Sequence, residues 1–148
     1  MNPLARALKD MQNKLERLLR LGKERHQHGN IKEAEFYYKK ILKTWPNNAD
    51  ANHLLGLISH QVGDFRNAAQ LIRRAIGGNP ASASYHCNLG LVLHDLGEFE
   101  ESATYCRKAL DLDPRIAEAH NNLGNALRGS GRFQEAERSC RRGLELNP

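Results

Sequence analysis

Apolar residues fall at helical spacing along nearly the whole chain, and the pattern repeats. Near the C-terminus Ala119, Leu123, Ala126 and Leu127 share one helical face, and Phe133, Ala136, Cys140 and Leu144 form a second stripe. The Gly131-Arg132 step between them is a turn signal, because glycine reaches φ > 0 at low cost. The same arrangement returns every 34 residues, most plainly at Pro46, Pro80, Pro114 and Pro148. Columns at Leu21, Leu55, Leu89 and Leu123, at Gly22, Gly56, Gly90 and Gly124, at Gly29, Gly63, Gly97 and Gly131, and at Ile31, Phe65, Phe99 and Phe133 keep the same register. A period of this size marks a solenoid, in which each unit buries its apolar face against the next. The predicted helices are 3–28, 32–45, 49–62, 66–77, 83–96, 100–112, 117–130 and 134–146. Each second helix should stop before its proline, which disfavours helical geometry in the preceding residue. Gly124 sits inside a helix at a cost of about 1 kcal/mol relative to alanine, so its recurrence implies a close helix approach.

These columns resemble the tetratricopeptide repeat, a helix–turn–helix unit. The clearest stretch runs from Ala117 to Pro148, where Leu123-Gly124, Leu127, Gly131, Phe133, Ala136 and Pro148 fall on that family's signature positions. The resemblance implies an all-α, right-handed superhelical solenoid of antiparallel helix pairs with about four repeats, at 15–48, 49–82, 83–116 and 117–148. Residues 1–14 are then an N-terminal helical extension. The family's bulky aromatic at the fourth repeat position is replaced by Leu18, Asn52, His86 and His120, and Arg25 and Ser59 stand where a large apolar residue is common. These departures predict locally weaker core packing.

Composition narrows the function. The formal net charge is +5, with the basic excess in residues 1–46 and an acidic excess in residues 81–114. Such alternation is not a uniform nucleic-acid footprint, and the basic residues lack interleaved aromatics for base stacking. No apolar run is long enough for a membrane span, and residues 1–14 hold no secretory apolar block. The expectation is a cytoplasmic protein that binds neither nucleic acid nor membrane. Cys87, Cys106 and Cys140 form no CxxC pair; Cys106 and Cys140 share a repeat column and read as interior small apolar residues. No nucleophile–base pairing, phosphate-binding loop or metal spacing appears, so no enzyme, cofactor or metal is expected.

By resemblance, the first helix of each repeat lines a concave groove, with its repeat positions facing inward in columns. The fifth-position column is Leu19, His53, Cys87 and Asn121, and the sixth is Arg20, Leu54, Asn88 and Asn122. The ninth is Lys23, Leu57, Leu91 and Asn125, and the twelfth is His26, His60, His94 and Arg128. Asn and neutral His both donate and accept hydrogen bonds, so they suit the backbone amides of an extended polypeptide, while the leucines suit its apolar side chains. The expected function is a protein–protein interaction module holding a short segment with affinity on the order of micromolar.

Three sharper readings attach to these columns. Asn88 and Asn122 resemble the start of the asparagine ladder in O-linked N-acetylglucosamine transferases, which holds substrate backbones; the ladder stops at Arg20 and Leu54. That resemblance implies a substrate-recruiting region of a larger glycosyltransferase, with the chemistry beyond Pro148. His26, His60 and His94 could suggest a metal, but ligand nitrogens must lie within roughly 4 Å of one another, and packed helices stand about 8–10 Å apart. A pH-dependent groove is the better expectation. The dicarboxylate clamp of chaperone-binding relatives finds no matching register.

The ends carry two expectations of their own. Leu4, Leu8, Met11, Leu15 and Leu18 recur at intervals of 4, 3, 4 and 3, a heptad seam. It either packs on the helix at 32–45 or prolongs the first helix as a cap; the alternative is a self-association surface. The stop at Pro148 without a polar closing helix suggests a fragment of a longer protein, or an end that pairs with another copy to build a scaffold.

Overall fold

The computed structural model describes residues 2–148, so Met1 of the expected extension lies outside it. The described residues form eight α-helices: α1 (Pro3–Gln27), α2 (Ile31–Thr44), α3 (Ala49–Gln61), α4 (Phe65–Gly78), α5 (Ala83–Asp95), α6 (Phe99–Leu112), α7 (Ala117–Gly129) and α8 (Phe133–Leu146). Consecutive helices pack as antiparallel hairpins, and the first helices of successive repeats also touch, α3 against α5 and α5 against α7. The fold is the expected right-handed solenoid. Among the described residues no helix is long and apolar enough to cross a membrane.

The turn inside each hairpin is one motif used four times. Gly29, Gly63, Gly97 and Gly131 take φ of 77°, 84°, 81° and 77°. The next residue's amide then reaches back five residues, as Asn30 to Arg25, Asp64 to Ser59, Glu98 to Leu93 and Arg132 to Leu127. This is a Schellman cap, which satisfies carbonyls at the helix end and needs the left-handed backbone that glycine tolerates. The second helices begin one residue earlier than the sequence predicts. The residue after the glycine is the N-cap, and its carbonyl already accepts from the residue four on, as Asp64 does from Ala68 at 2.9 Å.

Each second helix ends two residues before its proline. The cap residues Trp45, Asn79, Asp113 and Asn147 have ψ of 76°, 82°, 99° and 80°, outside the helical range. The core is a series of clusters that each span neighbouring hairpins, made of Leu18, Tyr38, Ile41, Leu55, Ile58, Ile72, Leu89, Leu93 and Leu127 with small alanines. Gly124 shows why small residues recur: a Cβ there would stand 2.3 Å from Cys140 Sγ and 3.1 Å from the Ala136 carbonyl.

The polar residues at the fourth position do more than thin the packing. Asn52 Nδ2 donates to the carbonyls of Pro46 and Asn48, both at 2.9 Å. His86 and His120 place Nε2 at 2.9 and 3.0 Å from the carbonyls of Pro80 and Pro114. Each ties the start of its helix to the proline that closes the preceding repeat, trading apolar contact for a hydrogen bond.

The N-terminal extension prolongs α1 without packing on α2. Residues 2–14 are all exposed, whereas Leu18 and Gly22 further along α1 are buried.

Candidate binding groove

The groove is set by the period and by one extra residue. The first helices lie side by side and run the same way, so a side chain on one meets the neighbour's side chain 35 positions away. Five such pairs are hydrogen-bonded. Tyr85 Oη donates to Asp50 Oδ1 at 2.5 Å. Asn88 Nδ2 lies 2.9 Å from His53 Nε2, and Asn122 Nδ2 lies 3.5 Å from Cys87 Sγ. His60 Nε2 lies 2.6 Å from Asp95 Oδ2, and His26 Nε2 lies 3.3 Å from Gln61 Oε1.

This stitching divides the expected site residues into two groups. In the fifth-position column His53 and Cys87 are packing rather than lining. His53 is 9% exposed and stacks on Tyr85 with ring centroids 4.4 Å apart. Cys87 is 5% exposed and packs with Ala109 and Ala119. Asn121 turns onto α8, where its Oδ1 would touch a Cβ at position 143. His53 and Cys87 therefore support the groove from below, whereas Leu19 is half-buried and Asn121 is exposed.

The other columns stay accessible. Leu54, Leu57 and Leu91 are half-buried, as are Asn88, Asn122, Asn125, His26, His60 and His94, while Lys23 and Arg128 are exposed. At the N-terminal end an open niche of about 270 Å³ is bounded by Lys23, His26, Gln27, Tyr38 and Leu54. At the other end Arg128 Nη2 donates to Asn125 Oδ1 at 2.8 Å, which holds both side chains over α7.

Electrostatics follow from burial. His53 is pushed down to about 4, first by loss of solvent, with Asp50 opposing and Lys23 adding to the fall. It is a neutral ring, and Nε2 is the acceptor for the Asn88 amide. The Asn88 and Asn122 carbonyl oxygens make none of these hydrogen bonds and remain as acceptors. Burial also raises the Cys87 thiol to about 11 and the Cys106 thiol to about 12. Neither is a nucleophile at neutral pH.

The residues that sequence reading passed over are Tyr85 and the full role of Asp95. Asp95 sits between two imidazoles, with His94 Nδ1 3.2 Å from its Oδ1 on the side opposite His60. The signal was present in the sequence, since Asp50 and Tyr85, like His60 and Asp95, are spaced one residue beyond the period. Among the described residues no cluster of three or more His, Cys, Asp or Glu side chains is arranged to hold a metal.

Comparison with known proteins places this geometry. A family model described as anaphase-promoting complex, cyclosome, subunit 3 matches residues 27–109. One described as tetratricopeptide repeat matches residues 80–147. No curated protein sequence matches the chain. A crystal structure of MamA is similar, with a TM-score of 0.82 and 28% identity over 96% of this chain and 83% of that one. An O-GlcNAc transferase mutant from Thermobaculum terrenum is similar at 37% identity and a TM-score of 0.75, over 78% of this chain but 22% of that one. MamA from Desulfovibrio magneticus RS-1, at 24% identity and a TM-score of 0.80 over 89% of this chain and 75% of that one, shares the fold. Repeat spacing, hairpin geometry and family matches agree, and the chain belongs to the tetratricopeptide repeat family.

Proposed function

We propose that the concave face binds an extended segment of another protein and that the chain is a non-enzymatic interaction module. The observation that carries this reading is the mixed surface left after internal stitching. Leu54, Leu57 and Leu91 form an apolar floor, and the carbonyls of Asn88 and Asn122 stand beside it with no donor among the described residues. A ligand backbone presents amide donors at regular spacing, which such acceptors satisfy whatever the ligand's side chains. Ligand side chains of moderate size would seat against the leucines. Affinity on the order of micromolar follows from a short segment on an open surface.

The test is selection from a displayed peptide library against the wild type and a Leu57→Glu, Leu91→Glu variant. Both leucines lie outside the packed core clusters, so the helices should survive the change. The variant should lose the selected peptides; equal recovery would move binding to another surface.

A second reading is favoured by one finding, the 37% identity to an O-GlcNAc transferase over 78% of this chain. On that reading the groove recruits polypeptide substrates for a larger enzyme. The same asparagines would carry the contact, and the selected peptides would be substrates of that enzyme.

A further inference from the structure

One polar atom in the core of the first repeat has no partner. Tyr38 is fully buried, and its hydroxyl makes no hydrogen bond among the described residues. Buried polar groups are paired in the great majority of cases, so an unpaired one calls for a reason. Ile72, Cys106 and Cys140 follow Tyr38 at steps of 34 residues. Ile72 and Cys106 are shorter and end inside apolar clusters. Tyrosine reaches further, and Gly22 gives its ring room, since a Cβ there would stand 2.5 Å from Tyr38 Cε1. Tyr38 thereby walls the niche it shares with Lys23, His26, Gln27 and Leu54.

That niche is rich in donors and poor in acceptors. Lys23 is exposed and forms no ion pair among the described residues. His26 Nε2 faces Gln61 Oε1 at 3.3 Å. No carboxylate lines the cavity, and Glu24 of the same helix pairs with Arg20 at 3.7 Å.

We infer that the niche seats one acidic side chain of the bound segment, its carboxylate between the Lys23 ammonium and the Tyr38 hydroxyl and its stem against Leu54. This rests on the groove binding proposed above and adds what the segment must carry. Three observations select the occupant. Both unpaired groups donate: the ammonium has no lone pair, and burial pushes the Tyr38 phenol up to about 12, so it keeps its proton at neutral pH. One cation matches one negative charge, where a phosphate would bring nearly two. The volume of about 270 Å³ lies below the roughly 300–1,000 Å³ of small-molecule sites and suits a single side chain. Leu54 also belongs to the apolar floor, so a segment lying on that floor brings a neighbouring side chain to the niche. The hydroxyl is closed to solvent in the free protein, and the swing of the flexible Lys23 stem toward the carboxylate opens the way. This is not the dicarboxylate clamp, whose register the chain lacks; here a tyrosine of the second helix supplies the donor.

The test selects peptides from a displayed library against the full chain and measures the best of them by calorimetry. They should share one Asp or Glu at a fixed distance from their apolar residues. Changing that acid to its amide, Lys23→Gln and Tyr38→Phe should each weaken binding by about tenfold, the worth of a hydrogen bond to a charged group. In the Lys23→Gln, Tyr38→Phe double variant the amide peptide should bind as the acid peptide does. Amidating the peptide's C-terminus should change nothing, which separates a side-chain carboxylate from a terminal one. Tyr38→Phe should unfold at the same urea concentration as wild type or higher, because the hydroxyl bonds to nothing within the chain. Peptides that need Leu57 and Leu91 but share no acid overturn this inference and leave groove binding standing. Full affinity for the acid peptide in either single variant does the same. A library that yields no groove-dependent peptide overturns both.

Discussion

Acidification should destabilise this protein through one buried ring. His53 is 9% exposed, lies under Tyr85, and accepts the Asn88 amide on Nε2. Its native value of about 4 lies well below that of an unfolded histidine, which is near 6.5. The unfolded chain therefore takes up the proton first. Stability is complete above pH 6.5 and falls as pH drops toward 4, because there the unfolded state binds more protons. The size of the loss follows from the interval at 1.36 kcal/mol per pH unit: about 2 kcal/mol by pH 5 and about 3 kcal/mol by pH 4. That is a large fraction of the 5–15 kcal/mol typical of a folded domain, by about a fifth or more. His53→Gln isolates the effect, since its amide oxygen can accept from Asn88 and does not titrate. Urea unfolding followed by circular dichroism at pH 7, 6 and 5 should show the wild type losing about 2 kcal/mol more than the variant between the extremes. Parallel losses in the two proteins would refute the assignment of His53 as a buried neutral ring.

Two further predictions test the packing. Gly124→Ala should destabilise by about 1–3 kcal/mol through overpacking against Cys140 and the Ala136 carbonyl, and Cys140→Ala should restore most of it in the double variant. Additive changes in a double-mutant cycle measured by urea unfolding would refute that contact. In native protein a thiol reagent should modify Cys140 quickly and leave Cys87 and Cys106 untouched, because those two are buried and their thiols are raised to about 11 and 12. Equal labelling of all three before denaturation would contradict the burial.

The architecture was legible because a solenoid writes its packing in period. Every helix found had been expected within a residue or two, and the glycine column anticipated the Schellman turns. The missed starts of the second helices came from counting the N-cap as a loop residue, which only the hydrogen bond from Ala68 to Asp64 and its equivalents reveals. The groove was less legible. Column membership does not say whether a side chain faces solvent or its neighbour. His53 and Cys87 share a column with the half-open Leu19, yet His53 is buried against Tyr85, where the equivalent residue beside Leu19 is only Ala51, and Cys87 packs with Ala109 and Ala119. Asn52, His86 and His120 looked like packing defects, since the sequence does not show that the preceding proline carbonyl lies within reach. The bare seam of α1 was visible as a heptad, but its exposure depends on α2 being the shorter helix.

The most direct test of groove binding is methyl NMR of the leucines during titration with a library-selected peptide. Leu54, Leu57 and Leu91 should shift together and saturate at one affinity, on the order of micromolar, while Leu4 and Leu8 on the N-terminal helix and Leu144 on the outer helix stay in place. Shifts confined to those outer leucines, with the groove methyls unmoved at saturation, would contradict the account.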